Sequence, residues 1–177
     1  MASLKSFLPH LAKLLGTTAN TLYTRQQALV ELGVLKAVPG RGPGSGTPLD
    51  GSGVAALVIA LLAADTLQDT DDRVRAFCLA TPKDADRCPW TGAANLQEAL
   101  AAVLTSEQMA ADLTFVSVYR NKRAAGLGWR PFGRHNRSDF VVSSAPPRSA
   151  ISIIAGIDSD TLRKLAAMLQ AEMAGSK

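Results

Sequence analysis

Arg120, Lys122, Arg123, Arg130, Arg134 and Arg137 crowd one stretch of this 177-residue chain, together with His135, Tyr119, Trp129 and Phe132. No acidic residue falls between positions 113 and 138. Cationic side chains neutralise phosphates and aromatic faces stack on bases or sugars, so this combination suits a nucleic acid. Gly126, Gly128 and Gly133 lie among these residues. Two plainer readings stand beside it. Basic side chains also guard a hairpin edge against further strand pairing, and the anion met can be an acidic protein face, including this chain's own middle.

A second group precedes it in the chain: Thr18, Asn20, Thr21, Tyr23, Thr24, Arg25 and Gln27. A helix entering a DNA major groove needs small, polar, donor-rich side chains at its leading end. Asn and Gln fit adenine, Arg fits guanine, and the Tyr23 hydroxyl is suited to a phosphate. A helical hairpin with a solvated polar face is the alternative. Arg41, within Gly40-Arg41-Gly42-Pro43, resembles half of an AT-hook, whose arginines enter a narrow minor groove. The second arginine of that motif is missing, which leaves a plain linker open.

These residues must be positioned by regular elements. Leu4, Leu8, Leu11, Ala12 and Leu15 make one helical stripe, with Pro9 expected to start the main helix and Gly16 to end it. Thr17 or Thr18 caps a second helix carrying Leu22, Leu29, Leu32 and Leu35, closed by Gly33. Asp50 or Ser52 opens a third that runs to about Leu67; a fourth covers Asp71 to Ala80, and a fifth Ala94 to Leu104, with Ala111 as its furthest extent. Three β-branched and aromatic runs read as strands: Leu113–Tyr119, Phe140–Ser143 and Ile151–Ile154. Asp158-Ser159-Asp160 then caps a helix with Leu162, Leu165, Ala166, Leu169 and Met173 on one face. The expected fold class is α+β: an N-terminal helix-turn-helix with a wing or linker (residues 1–48), a helical middle (49–111), and a small antiparallel sheet with a basic loop and C-terminal helix (112–177).

The run LPHLAKLLGTTANTLYTRQQALVELGVL, residues 8–35, resembles the helix-turn-helix of bacterial winged-helix DNA-binding proteins, in which LxxLAxxLG forms the first helix and turn and LxxLGxL leads toward the wing. Over most of its length the chain also resembles uncharacterised proteins of prophages and phages, particularly of alphaproteobacteria. The Gly-Arg-Gly turn, the TPLDGSGVAALVIALLA helix and the ending Ile154 to Ala166 carry that likeness. The resemblances imply double-stranded DNA as partner and a mobile-element context. A homodimer is expected, because one short recognition helix contacts few base pairs.

Charge is polarised behind a modest total. Residues 1–50 carry +3, 51–112 carry −5, 113–138 carry +6 and 139–177 are neutral, within a net charge of +4. Two cysteines without a CxxC pair exclude a multi-disulfide scaffold, and Cys78, Cys88 and His135 match no common zinc spacing. Asp69, Asp71 and Asp72 lack the glycine and terminal glutamate of a calcium loop. The longest apolar run, Val54 to Ala64, is too short for a membrane span of roughly 20 residues. The N-terminus lacks the pattern of a secretory signal, so the cytoplasm, in association with the nucleoid, is the expected compartment. No Walker A, GxGxxG, HExxH or GxSxG motif occurs, so neither an enzyme nor a cofactor is expected. Two further readings are a phage DNA-packaging component of the small-terminase type, and a phage inhibitor that uses the helix-turn-helix as a protein-binding scaffold.

Overall fold

The computed structural model describes residues 2–40, 46–64, 72–142 and 152–175. Arg41, Asp69 and Asp71, and the expected element ends Leu67, Ser143 and Ile151, lie outside these residues. Helix α1 (Leu4–Leu15) begins at Leu4 rather than at Pro9, because the Ser3 hydroxyl caps it by accepting from the Ser6 amide at 3.2 Å. Pro9 sits inside the helix on its exposed side. The carbonyl it leaves without an amide partner, that of Lys5, therefore faces water. Gly16, in the left-handed conformation (φ 65°), ends α1. Thr18 caps α2 (Ala19–Glu31) by accepting from the Thr21 amide at 3.1 Å.

The chain then closes a small loop. Val38 and Gly46 exchange backbone hydrogen bonds of 2.9 and 2.8 Å, and the returning segment pairs with the N-terminus, Leu4 N donating to Thr47 O and Leu49 N to Ala2 O. The Gly/Pro-rich stretch is thus tied at its base to both α1 and the exit from α2.

Asp50 caps α3 (Gly51–Ala63), accepting from the Gly53 amide at 2.7 Å. All of α3 except Ser52 and Leu61 is buried. It packs against α2, α4 (Asp72–Cys78) and α5 (Leu96–Thr105). A Cβ at Gly51 would meet Thr105 Cγ2 at 2.6 Å, so glycine sets how closely α3 and α5 approach. The helix stops short of the expected Leu67: Ala64 is already extended, and its last carbonyls are taken by arginines. Arg25, 3% exposed on α2, donates to Ala60 O at 3.0 Å and Ala64 O at 3.2 Å, while Arg120 donates to Leu62 O at 2.7 Å. Ser106 breaks the helix expected to reach Ala111 by capping a separate α6 (Glu107–Asp112), its hydroxyl accepting from Met109 N.

Five antiparallel strands form one sheet, in the order β1-β4-β3-β2-β5. They are β1 (Thr81–Pro82), β2 (Leu113–Tyr119), β3 (Ala124–Trp129), β4 (Asn136–Val141) and β5 (Ile154–Asp158). Strand β2 has the expected bounds. Strand β4 starts before Phe140, and β5 follows the expected Ile151–Ile154 almost entirely. Strands β1 and β3 were not expected: β1 has two residues, and β3 reads AAGLGW, with little β propensity. Val116, Val118, Ala125, Leu127 and Phe140 turn toward the helices and are fully buried. Asp158 starts α7 (Ser159–Gly175), whose Leu162, Leu165, Ala166 and Leu169 complete a single core cluster that runs through all three segments. Its carboxylate accepts from the Thr161 amide and hydroxyl and from the Asp160 amide, which holds its pKa below the usual carboxylate value.

Arg25→Ala is expected to cost about 2–4 kcal/mol in urea unfolding, because it strips charge-assisted bonds from buried carbonyls and leaves a cavity. Gln27→Ala, on the exposed side of the same helix, should change stability by less than about 0.5 kcal/mol. Burial pushes the Cys78 thiol up from 9.0 to about 12. The stability this contributes is complete below pH 9.0 and drains away as pH rises toward about 12. Wild type should therefore lose stability across that range more steeply than Cys78→Ala, measured as the urea midpoint against pH.

Candidate nucleic-acid interface

Helical spacing divides the residues of α2. Leu22, Arg25, Gln26 and Leu29 are buried, whereas Asn20, Gln27 and Glu31, with half-buried Thr24 between them, form one outward stripe at i, i+4, i+7 and i+11. Arg25 is thereby removed from the set of base-contacting candidates: it shares the inner face with two leucines and serves α3. Thr18 and Thr21 are occupied at the helix start, their hydroxyls 2.9 Å apart, and Thr24 Oγ1 donates back to Asn20 O at 3.1 Å. Tyr23 is half-buried, with Lys5 Nζ 4.8 Å above its ring. An open groove runs between this helix and the bridged loop, lined by Lys5, Tyr23, Gln26, Gln27, Glu31 and Val38 among others. Of the outward stripe, Gln27 and Glu31 line this groove, whose other wall is the returning chain.

The expected single basic loop is a three-stranded meander instead. Arg120, Lys122 and Arg123 lie at the β2–β3 turn; Arg130, Arg134 and His135 lie at the opposite end, between β3 and β4; Arg137 is on β4 itself. Strands of this length separate the two ends by about 20 Å. Arg120 is committed to α3. Lys122, Arg130 and Arg134 are exposed.

Arg137 lies across the outer face of the sheet. The register aligns Phe115, Gly128 and Arg137 in one row and Ser117, Gly126 and Asp139 in the next. The guanidinium is 5.7 Å from the Phe115 ring centre and 5.6 Å from that of Tyr119, donates to Tyr119 Oη at 3.2 Å and pairs with Asp139 at 2.6 Å. Burial works against its charge, but the bonds to Tyr119 and Asp139 outweigh that and raise its pKa further. Arg137 is therefore an internal clamp on an exposed surface, and a phosphate reaching it has to compete with Asp139. The two glycines of β3 are the floor beneath it: a Cβ at Gly128 would fall within the Phe115 ring, and one at Gly126 would lie 3.1 Å from Arg137 Nη2.

On the inner side, Trp129 stacks on Trp90 with ring centres 4.9 Å apart and planes 7° from parallel, which explains Trp90 as a packing residue. Cys88 Sγ contacts Ser138 Oγ at 3.5 Å. Burial raises the Cys88 pKa, but hydrogen bonds from Ser138 and from Thr91 and Trp90 together bring it below the ordinary thiol value. No three His, Cys, Asp or Glu side chains among the described residues gather in a metal-binding group, and no helix among them is long and apolar enough to cross a membrane.

Compared with known protein families, curated proteins and solved structures, the chain matches none.

Sequence reasoning missed the clamp because its partners are brought together only by strand register. It had a signal for Arg25: the spacing Leu22, Arg25, Leu29 is that of one buried helix face. Gly128→Ala is expected to lower the melting temperature and destabilise by about 1–3 kcal/mol, because the Phe115 ring has to leave the sheet surface. Gly126→Ala should cost less, since the atom it meets ends a flexible side chain. Paired thermal melts check the order.

Proposed function

We propose that this protein is a sequence-specific DNA-binding protein without enzymatic activity, a transcriptional regulator of a phage or mobile element that acts on double-stranded DNA in the cytoplasm. The observation that carries this reading is the outward stripe of α2, exposed Asn20 and Gln27 with half-buried Thr24 between them, whose Gln27 end borders a loop bridged at Val38 and Gly46. A helix and an adjoining loop of this kind are the two parts by which winged helix-turn-helix proteins engage a major groove and the backbone next to it.

The side chains suit the task. Asn20 and Gln27 carry amides able to bond adenine through N6 and N7, and Thr24, whose hydroxyl is turned back to Asn20 O, leaves its methyl for thymine. Exposed Lys5, Lys13 and Lys36 in the same N-terminal segment add phosphate attraction, against Glu31 at the far end of the stripe. One stripe of three side chains covers few base pairs, so the functional unit is a homodimer on two half-sites.

Selection from a pool of randomised duplexes should return a preferred sequence containing A·T pairs. Asn20→Ala and Gln27→Ala should each weaken binding to that duplex about tenfold while leaving binding to a scrambled duplex unchanged, as read by fluorescence anisotropy. A pool that yields no preference, with both variants binding as wild type does, sinks the reading.

A further inference from the structure

The connection between β3 and β4 is built in a way the core does not require. Phe132 is the most exposed large apolar residue of the described chain, at 104% relative exposure. It is held in the left-handed region (φ 51°, ψ 34°), a strained conformation for a bulky aromatic, between Pro131 and Gly133. Arg134 N donates to Pro131 O at 3.0 Å and Arg130 N to Asp112 O at 2.8 Å, so the turn is pinned on both sides. At its root, the Trp129 ring is fixed by stacking on Trp90. A fully hydrated phenyl ring on a pinned, strained turn gives nothing to folding.

Its surroundings say what it meets. Arg130 and Arg134, both exposed, flank Phe132, and Arg130 Nη2 lies 3.5 Å from His135 Nδ1. With no acidic residue from 113 to 138, the tip is an apolar ring between cations, complementary to a polymer that offers flat apolar faces between anions. We infer that this tip is a second nucleic-acid contact, in which Phe132 stacks against a nucleobase and Arg130 and Arg134 hold the phosphates on either side. The inference deepens the DNA-binding reading and rests on it for the polymer, but not for the α2 stripe.

The test uses the full chain with oligonucleotides carrying 2-aminopurine, as a single strand and as the corresponding duplex. The probe's emission should change on binding in at least one of them. A change in the single strand means that an already unstacked base is captured, and a change in the duplex means that the ring wedges into a base step; either supports the inference. Phe132→Ala should abolish the emission change and weaken binding about tenfold, and Phe132→Trp should restore both. Because the side chain is fully exposed, the melting temperature of Phe132→Ala should equal that of wild type. Arg130→Ala and Arg134→Ala should each reduce the slope of log affinity against log salt by about 1. Binding and emission unaltered in Phe132→Ala on both substrates would overturn the inference while leaving the α2 reading intact. Loss of sequence preference with Phe132 dependence retained would do the reverse.

Discussion

The C-terminal end of α3 is the point on which the rest of the molecule depends. A helix that is apolar almost all round can be stable only inside other elements, and its last carbonyls then end away from bulk water without helical partners. Arg25 and Arg120 satisfy two of them, at Ala64 and Leu62, and Arg25 adds a second bond to Ala60 O, which already accepts from Ala64 N; both cations are set against the negative end of the helix dipole. One arginine comes from the N-terminal helices and the other from the end of β2. The same contact therefore closes α3 and ties the proposed reading helix to the sheet.

That arrangement changes what the charge pattern means. A positive total for residues 113–138 counts side chains without regard to their occupation. Arg120 works on α3, and Arg137 is shared between Asp139 and two aromatic rings. The charge available to a polyanion is concentrated at the ends of the meander, and the Arg130 to Arg134 end is distinguished by the ring it carries. At the N-terminus the loss of Arg25 to the core leaves neutral amides and a threonine on the outward stripe of α2, with lysines around them. Under the proposed function such a surface relies on hydrogen-bond geometry more than on charge.

Much of the architecture was legible in local pattern. Leucine spacing, a cap at Thr17 or Thr18, at Asp50 or Ser52 and at Asp158, and Gly16 as a stop depend on neighbours within one or two helical turns, so the bodies of α1, α2, α3 and α7 could be read from them, and the alternation of Leu113–Tyr119 delimited β2. The errors have the opposite character. Pro9 is tolerated because its side of α1 faces solvent. Strand β3 is Ala/Gly-rich and is held by pairing with β2 on one side and β4 on the other, which no local pattern records. Strand β1 is too short to have a pattern, and it pairs with a strand more than fifty residues away in the chain.

By itself, the sequence determined the helical elements, the α+β class and the two concentrations of polar and basic residues from which any nucleic-acid reading must start. Only the tertiary structure decided which of those residues are available. Availability is set by what lies opposite a side chain, and for Arg25, Arg120 and Arg137 the opposing groups come from elsewhere in the chain: the carbonyls of α3 for the first two, Tyr119 across the sheet for the third. Composition records that an arginine carries a charge; the fold determines whether that charge faces a helix end, a ring or water.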